Sequence, residues 1–237
     1  MKVIWAIATL IFLNSSLVHS ETKLNVVTES WPPYNFRDIN GNITGIATEK
    51  VKQVLEHADI PYKIKLLPWA RAYHIALHEP YTLIFTIYRT HKREKLFQWI
   101  CPLFNTPALS FFALASRTDI VINQLPDSMN YTIGITRGEY SEELLRGLGF
   151  YENGRVDVSA NDDINLKQLL SGRIDLLIDS DSAIKERLKK LELNASFLKP
   201  IYPIVKSGDA QTCMALSLAT PKEIAQRIRM SLNVMNK

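Results

Sequence analysis

Short runs rich in β-branched and aromatic residues alternate with amphipathic segments along most of the chain. Strands are predicted at residues 24–28, 62–67, 83–87, 108–115, 131–136, 173–179 and 212–218. Helices, with apolar positions spaced three and four apart, are predicted at residues 49–58, 70–78, 139–149, 163–172, 182–191 and 220–232. Strands that alternate with helices indicate an α/β fold.

Local signals mark where two of these helices begin. Asp162 or Asp163 is predicted to cap the fourth helix. Thr220 is predicted to cap the last helix, with Pro221 in its first turn and Glu223 completing a capping box.

The predicted elements form two successive series, and each series is too small to be a typical domain. The first ends near Cys101 and Pro102, where a second series of strands and helices begins. This organisation predicts two lobes with a cleft between them. Because ligands of open α/β sheets bind at the carboxyl ends of the strands, the cleft is the expected binding site.

The first 20 residues are predicted to be a secretory signal peptide. Lys2 precedes an apolar run at residues 3–13, and Val18 and Ser20 occupy the −3 and −1 positions of a cleavage site. The alternative is a membrane anchor, but the run is well short of the roughly 20 apolar residues that a spanning helix needs. Cleavage before Glu21 predicts an exported protein.

Composition and charge indicate which classes of binding partner to expect. Hydrophobic residues make up 46% of the chain, enough for a globular core, and the formal net charge is +4. Removal of Lys2 with the signal peptide lowers this charge by one, and no basic run resembles a nucleic-acid-binding tract. We therefore expect a monomer that binds a small molecule and no nucleic acid.

The chain contains two cysteines, Cys101 and Cys213. An oxidising compartment favours one disulfide between them, and the alternative is two separate buried thiols. A nucleophilic role for Cys101 is not favoured, because no histidine partner is indicated.

No catalytic or metal-binding motif is complete. The sequence GITRG at residues 134–138 lacks the serine of a nucleophile elbow. His74 and His78 stand four residues apart on a predicted helix beside Glu79, a spacing that could hold a metal ion. Without an assigned third ligand a solvated helix face is the better interpretation, so no metal and no cofactor are predicted.

Aromatic and basic residues follow the ends of two predicted strands. The sequence TESWPPYNF places Trp31 and Tyr34 in a proline-stiffened loop, where a ring can stack on a ligand, although core packing is the alternative. Arg93 could hold a carboxylate through two parallel hydrogen bonds. Arg71, beside Trp69, is a second candidate, and a solvated helix charge is the alternative for both arginines.

Eight segments, taken in order, resemble family 3 of the bacterial extracellular solute-binding proteins: ESWPPYNF, NGNITGI, EKVKQVLEHA, LPWARAY, YRTHKREKLFQWICPL, ITRGEY, LLSGRIDLLIDS and ALSLATPKEI. The resemblance runs from about Leu24 to the C-terminus. Members of this family are periplasmic receptors of polar amino-acid ABC transporters. The resemblance implies a two-lobed fold in which each lobe is a mixed sheet flanked by helices.

The resemblance also implies where the lobes divide. Lobe 1 is expected at residues 21–103 plus 201–237 and lobe 2 at residues 104–200, with crossings near residues 101–106 and 199–203. Two crossings form a hinge, and closure over the ligand is the expected motion.

Ligand contacts are implied residue by residue. The stacking aromatic of the family matches Trp31, and the arginine of a T-x-x-R turn, which binds the ligand's α-carboxylate, matches Arg93 with Thr90. A turn in the second lobe that adds backbone donors matches residues 137–139. The complete predicted binding set is Glu29, Trp31, Tyr34, Arg71, Tyr88, Thr90, Arg93, Arg137, Gly138, Glu139, Asp179 and Ser180.

One position departs from the family pattern. The acid that is expected to hold the ligand's ammonium group falls at Ser180, flanked by Asp179 and Asp181. A shift of one position would restore an acid, whereas a serine there would argue against a typical α-amino acid.

The sequence thus predicts a periplasmic solute-binding protein, not an enzyme, that captures a small polar carboxylate such as an amino acid for uptake by an ABC permease. One alternative is a periplasmic enzyme on the same scaffold, such as a dehydratase, with Glu29, Glu139 or Asp179 as general acid or base. Another alternative is a soluble co-sensor that docks on a membrane receptor.

Overall fold

Two five-stranded sheets flanked by helices, together with a two-stranded sheet, make up residues 23–236, the part of the chain that the computed structural model describes. The predicted signal peptide and its cleavage site lie outside these described residues. The strands are β1 (Leu24–Thr28), β2 (Phe36–Arg37), β3 (Ile43–Thr44), β4 (Tyr62–Leu66), β5 (Thr82–Arg89), β6 (Phe97–Phe104), β7 (Leu109–Leu114), β8 (Thr132–Thr136), β9 (Arg155–Ser159), β10 (Leu176–Asp179), β11 (Leu198–Val205) and β12 (Gln211–Ser217). The helices are α1 (Ile46–His57), α2 (Trp69–His78), α3 (Tyr140–Gly147), α4 (Phe150–Asn153), α5 (Asp162–Leu170), α6 (Asp181–Lys190) and α7 (Lys222–Met235).

The first sheet has the strand order β4-β1-β5-β12-β6. β1 pairs in parallel with β4 and β5, whereas β12 runs antiparallel to β5 and β6. Successive residues of β1 point to opposite faces, so Val26 joins the core formed with α1 and α7 and Val27 joins the core formed with α2. Both faces of this sheet are therefore covered.

The second sheet has the strand order β11-β7-β10-β8-β9. β8, β9 and β10 are parallel, and β7 runs antiparallel to β10 and β11. Leu145 of α3 and Phe150 of α4 pack into the core on one face, and Leu166 of α5 and Leu188 of α6 pack into another core. Each lobe is thus a mixed sheet between helices, as predicted.

Every predicted strand and helix overlaps an observed one, but the strands β2, β3, β6, β9 and β11 and the short helix α4 were not predicted. β2 and β3 pair only with each other, and β6, β9 and β11 each lie at an edge of a five-stranded sheet. Pro102 interrupts β6, and Pro200 and Pro203 interrupt β11. A proline removes a backbone donor, which an edge strand tolerates and an internal strand does not, so the prolines concealed β6 and β11.

Both predicted helix caps are wrong. Asn161, not Asp162 or Asp163, caps α5, because its side chain accepts a hydrogen bond from the Ile164 amide at 3.0 Å. Helix α7 begins without a side-chain cap, since the Thr220 hydroxyl lies 2.7 Å from the Ser217 hydroxyl instead.

Two short segments, residues 105–108 and 206–210, connect the sheets. The second lies beyond the crossing expected at residues 199–203, because those residues belong to β11 and pair with β7. The segments contact each other: the Thr106 hydroxyl lies 2.7 Å from the Thr212 hydroxyl, and Ser207 Oγ donates to the Thr106 carbonyl at 2.9 Å. The strand pairing therefore places residues 201–205 with the second sheet.

A disulfide joins Cys101 and Cys213, whose Cα atoms are 4.7 Å apart. The two cysteines lie on the neighbouring antiparallel strands β6 and β12. The whole second sheet falls between them in the sequence, so the bridge ties the outgoing and returning segments together on the first lobe. Within residues 23–236, no helix has the length and apolar character needed to cross a membrane.

Candidate functional site

A cavity of about 50 Å³ lies between the two lobes. It is formed where β1, β5, β8 and β10 end, which is where α/β sheets bind ligands. Six residues of the predicted binding set line it: Glu29, Trp31, Tyr88, Arg93, Glu139 and Asp179. Seven further lining residues were not in that set: Trp69, Thr86, Leu109, Tyr140, Ser141, Asp162 and Ile178.

Trp31 bridges the lobes. Its side chain is 8% exposed, and its indole Nε1 donates to Asp179 Oδ1 at 3.1 Å. Tyr34 lies behind it, with ring centroids 4.4 Å apart, and stacks on Phe104. Trp31 therefore faces the cavity, while Tyr34 supports it and contacts Ser182 of the second lobe at 3.3 Å.

Arg93 is nearly buried, with 4% of its side chain exposed. Its guanidinium lies 5.4 Å from the ring of Trp69, Nε is 3.2 Å from Glu143 Oε2, and Nη2 donates to the Gly138 carbonyl at 3.1 Å. The Thr90 hydroxyl accepts from the Arg93 amide at 3.3 Å, so Thr90 shapes the turn that aims Arg93 into the cleft.

A second arginine, Arg89, lies just before this turn. It is the last residue of β5, and its side chain is 37% exposed. It pairs with Glu94 at 2.6 Å on the surface. Only Arg93 of the two lines the cavity.

The acid at the end of β10 is Asp179, and it faces the cavity with 4% exposure. Its Oδ1 accepts from the Ser180 amide at 2.7 Å, and its Oδ2 lies 3.3 Å from Arg187 Nε as an ion pair. Ser180 instead caps α6, accepting from the Ala183 amide at 3.3 Å. Burial raises the pKa of Asp179 to about 6, although the nearby Arg187 lowers it.

Arg187 of α6 and the three aspartates that it contacts form a charged layer beneath the cavity. Arg187 was not predicted, because the charge-rich α6 segment resembles a solvated helix. Only 3% of its side chain is exposed, and it lies 2.8 Å from Asp162, 2.5 Å from Asp163 and 3.3 Å from Asp179. Its Nη2 also donates to the Ser30 carbonyl of the first lobe at 3.1 Å.

Glu29 and Glu139 face each other across the cleft and hydrogen-bond to each other. Burial, together with the charge of the Asp162 carboxylate, raises the pKa of Glu29 to about 7, although the contact with Glu139 and the charge of Arg187 lower it. Burial and the negative charge of Asp162 also raise the pKa of Glu139. Both raised pKa values favour the protonated form of these carboxyl groups.

Thr86 forms part of the cavity wall in a backbone conformation that β-branched residues rarely adopt, with φ of 59°. The pairing of β5 with β12 skips Thr86, so it is the extra residue of a β-bulge. Such strained positions concentrate at binding sites.

Residues 24–146 match the family model of the bacterial extracellular solute-binding proteins, family 3. The chain belongs to this family.

Solved structures of similar fold cover nearly the whole of this family 3 protein. An ancestral arginine-binding protein bound to arginine is 19% identical, with a TM-score of 0.77 over 90% of this chain and 92% of that one. Holo ArgBP from T. maritima is 18% identical, with a TM-score of 0.77 over 91% of each chain. A histidine kinase sensor domain with similarity to periplasmic binding proteins is 16% identical, with a TM-score of 0.77 over 90% of each chain.

These structures show that the family 3 protein has the two-lobed fold. A comparison with curated protein sequences found no match.

The rest of the predicted binding set of this family 3 protein lies outside the central cavity. Arg71 and Arg137 are exposed. The turn at Gly138 presents an acceptor to the cleft, because its carbonyl receives hydrogen bonds from Arg93 Nη2 and, at 2.6 Å, from Trp69 Nε1. Its amide donates to Glu142 Oε2, so in this conformation it is not directed to the cavity.

The histidine pair of α2 lies away from the cleft. His74 and His78 are exposed, with ring centroids 4.5 Å apart. Over residues 23–236, no group of three or more potential metal ligands is assembled.

Proposed function

We propose that this protein captures a small amino acid, or a related small carboxylate, between its lobes. One observation carries the proposal: Arg93 of the first lobe and Asp179 of the second, both almost fully buried, line the same cavity. Opposite charges on opposite walls fit the carboxylate and ammonium groups of one zwitterion. A guanidinium has five donors, and three of those of Arg93 contact its own chain, which leaves two for a ligand carboxylate.

Closure of the hinge completes the site. Trp31 would cover the ligand and contact Asp179, and the hinge would be the pair of segments 105–108 and 206–210. Each lobe contributes only part of the ligand contacts, so ligand and closure are thermodynamically linked.

The family and its solved relatives support delivery to a transporter. The relatives include an amino acid ABC transporter substrate-binding protein from Streptococcus pneumoniae bound to L-arginine. We therefore propose export to the periplasm with signal cleavage near Ser20, action as a monomer, and an inner-membrane ABC permease as partner. Native mass spectrometry of the purified protein would identify a bound ligand. Recovery of a chemically altered ligand after incubation would favour the enzyme alternative, in which Glu29 and Glu139 would supply the acid and base.

Arg93→Ala is expected to weaken ligand affinity well over tenfold, because loss of one partner of a buried charge pair costs about 2–5 kcal/mol. Arg93→Lys should restore little of the affinity, since an ammonium lacks the planar fork. Calorimetry with the identified ligand measures both effects. Arg89→Ala, which removes an exposed arginine from the end of β5, is the control and should bind normally. Wild-type affinity in Arg93→Ala would exclude Arg93 as the carboxylate anchor.

Trp31→Phe should keep an aromatic ring at this position but lose the interlobe hydrogen bond from the indole to Asp179. Hydrogen bonds to charged groups contribute about 1.5–3 kcal/mol, so roughly ten- to a hundredfold more ligand should be needed to compact the protein. X-ray scattering reports the radius of gyration during the titration. Trp99→Phe is the matched control, because Trp99 Nε1 donates to Glu94 of its own lobe at 3.0 Å. Compaction of both variants at the same ligand concentration would show that the Trp31 contact does not contribute to closure.

A further inference from the structure

The disulfide between Cys101 and Cys213 crosses a gap in the pairing of β6 with β12. Two regular pairs flank the gap: Ile100 with Met214, and Phe104 with Thr212. Within the gap β6 has three residues, 101–103, and β12 has only Cys213. Pro102 is one of the three, and it has no backbone N–H to donate to a ladder. The bridge therefore joins the two strands where their hydrogen-bonded ladder is interrupted.

The other side of β12 is irregular at the same level. Thr86 is the extra residue of the bulge in β5, and the pairing of β5 with β12 shifts register between Cys213 and Met214. Thr86 also lines the interlobe cavity. Because a bulge disrupts the ladder locally, β12 is held less regularly on both sides at this one position. The disulfide reinforces the first sheet there.

The gap lies directly beside the hinge. Thr212 precedes Cys213, its hydroxyl lies 2.7 Å from the Thr106 hydroxyl, and its amide donates to Thr106 Oγ1 at 3.0 Å. The Thr106 carbonyl accepts in turn from Ser207 Oγ at 2.9 Å and from the Gly208 amide at 3.2 Å. Both hinge segments are thus fastened to the residue next to the bridge.

The end of β6 also supports the wall of the cleft. Phe104, the first residue beyond the gap, stacks on Tyr34 with ring centroids 4.8 Å apart. Tyr34 in turn lies behind Trp31, with ring centroids 4.4 Å apart. A shift of the β6 end would therefore move the rings that back Trp31.

We propose that the disulfide between Cys101 and Cys213 is a hinge clamp. It holds the end of β6 against the start of β12, so both hinge segments leave the first lobe from a fixed base. When the bridge is reduced, residues 101–108 separate locally from β12 while the cores of both lobes stay folded. The oxidation state of the two cysteines therefore sets how freely the lobes move, whichever ligand the cleft binds.

The clamp differs from the usual effect of a disulfide on stability. In the chain-entropy model a bridge acts on the unfolded chain and changes the free energy of global unfolding. The clamp acts within the folded protein, where it limits a local opening. Native-state hydrogen exchange separates the two effects, because amides in locally opening segments exchange long before those that need global unfolding.

Hydrogen exchange of the mature chain, followed by mass spectrometry, tests the clamp. Dithiothreitol transfers two electrons and two protons to the bridge, which leaves two cysteine thiols and the cyclic disulfide of the reagent. Amides of residues 101–108 and 206–212 should then exchange at least about tenfold faster, while the central strands β1 and β8 stay protected over the same minutes. Cys101→Ala combined with Cys213→Ala should show the same local increase without the reductant.

Leu55→Ala is the matched control for loss of stability. Leu55 of α1 is fully buried in the core of the first lobe and lies outside β6, β12 and the hinge segments. This variant should lower the melting temperature and leave early exchange of the hinge segments at the wild-type rate.

Three outcomes would overturn the clamp. The first is unchanged exchange of residues 101–108 and 206–212 after reduction. The second is a uniform increase across both lobes, since a bridge that acts only on global stability speeds all segments alike. The third is an equal increase at the hinge in Leu55→Ala. None of them bears on the proposed ligand, because the measurement uses the protein alone.

Discussion

Arg187→Met is expected to destabilise the protein by about 3–5 kcal/mol, the usual cost of removing one partner from a buried ion pair. Asp162, Asp163 and Asp179 all depend on this guanidinium, which is 3% exposed. Without it three carboxylates would repel one another in a partly buried layer. The melting temperature should fall by roughly 6–20 °C.

The control is a second cation of the same helix. Lys185 pairs with Asp181 at 2.5 Å, but both side chains are more than half exposed, so Lys185→Met should change stability little. Thermal denaturation measures both variants.

The loss of folding stability in Arg187→Met should be smaller at acid pH than at neutral pH. Loss of the guanidinium raises the pKa of Asp179 in the folded state, so the folded protein takes up protons more readily than the unfolded chain and gains stability as the pH falls. Equal melting temperatures for Arg187→Met and Lys185→Met would show that the charged layer contributes nothing to stability.

Reduction of the disulfide should cost about 4–5 kcal/mol in the chain-entropy model, because Cys101 and Cys213 are separated by 112 residues. The bridge encloses the entire second lobe in sequence, so its loss frees a long loop in the unfolded state. Urea denaturation of the oxidised and reduced protein measures the difference.

A double variant, Cys101→Ala with Cys213→Ala, serves as the control, because its stability should not respond to the reductant. Thiol titration of the denatured, unreduced wild-type protein should find no free thiol. Two free thiols would show that the bridge does not form in the protein as isolated.

Most of the fold could be predicted from periodicity. The internal strands β1, β5, β7, β8, β10 and β12 are runs of buried apolar residues, and such runs are detectable without knowledge of their partners. Of the unpredicted strands, β6, β9 and β11 are edge strands of the two large sheets, and β6 and β11 carry prolines that no internal strand would tolerate. Whether a proline-containing segment finds a partner depends on a neighbour distant in sequence.

Some residues of the candidate site could also be predicted from the sequence, and others could not. Trp31 and Arg93 follow strand ends, and a strand end is a position that the sequence pattern locates. Ser180 and Asp179 are adjacent in sequence, and only the backbone geometry at the start of α6 decides that serine caps the helix while aspartate faces the cavity. Arg187 lies in a charge-rich helix segment, and nothing in the local pattern distinguishes a buried arginine from a solvated one.

The sequence by itself determined the alternation of strands and helices, the two lobes and the strand-end loops that carry Trp31 and Arg93. These features depend on local propensity and on the period of apolar positions, which the linear order of residues contains. The tertiary structure alone decided which side chains meet across the cleft: Glu29 with Glu139, and Trp31 with Asp179. The raised pKa values of these carboxyl groups come from burial and from charges contributed by other elements of both lobes. Such an environment exists only when residues more than a hundred positions apart are packed together.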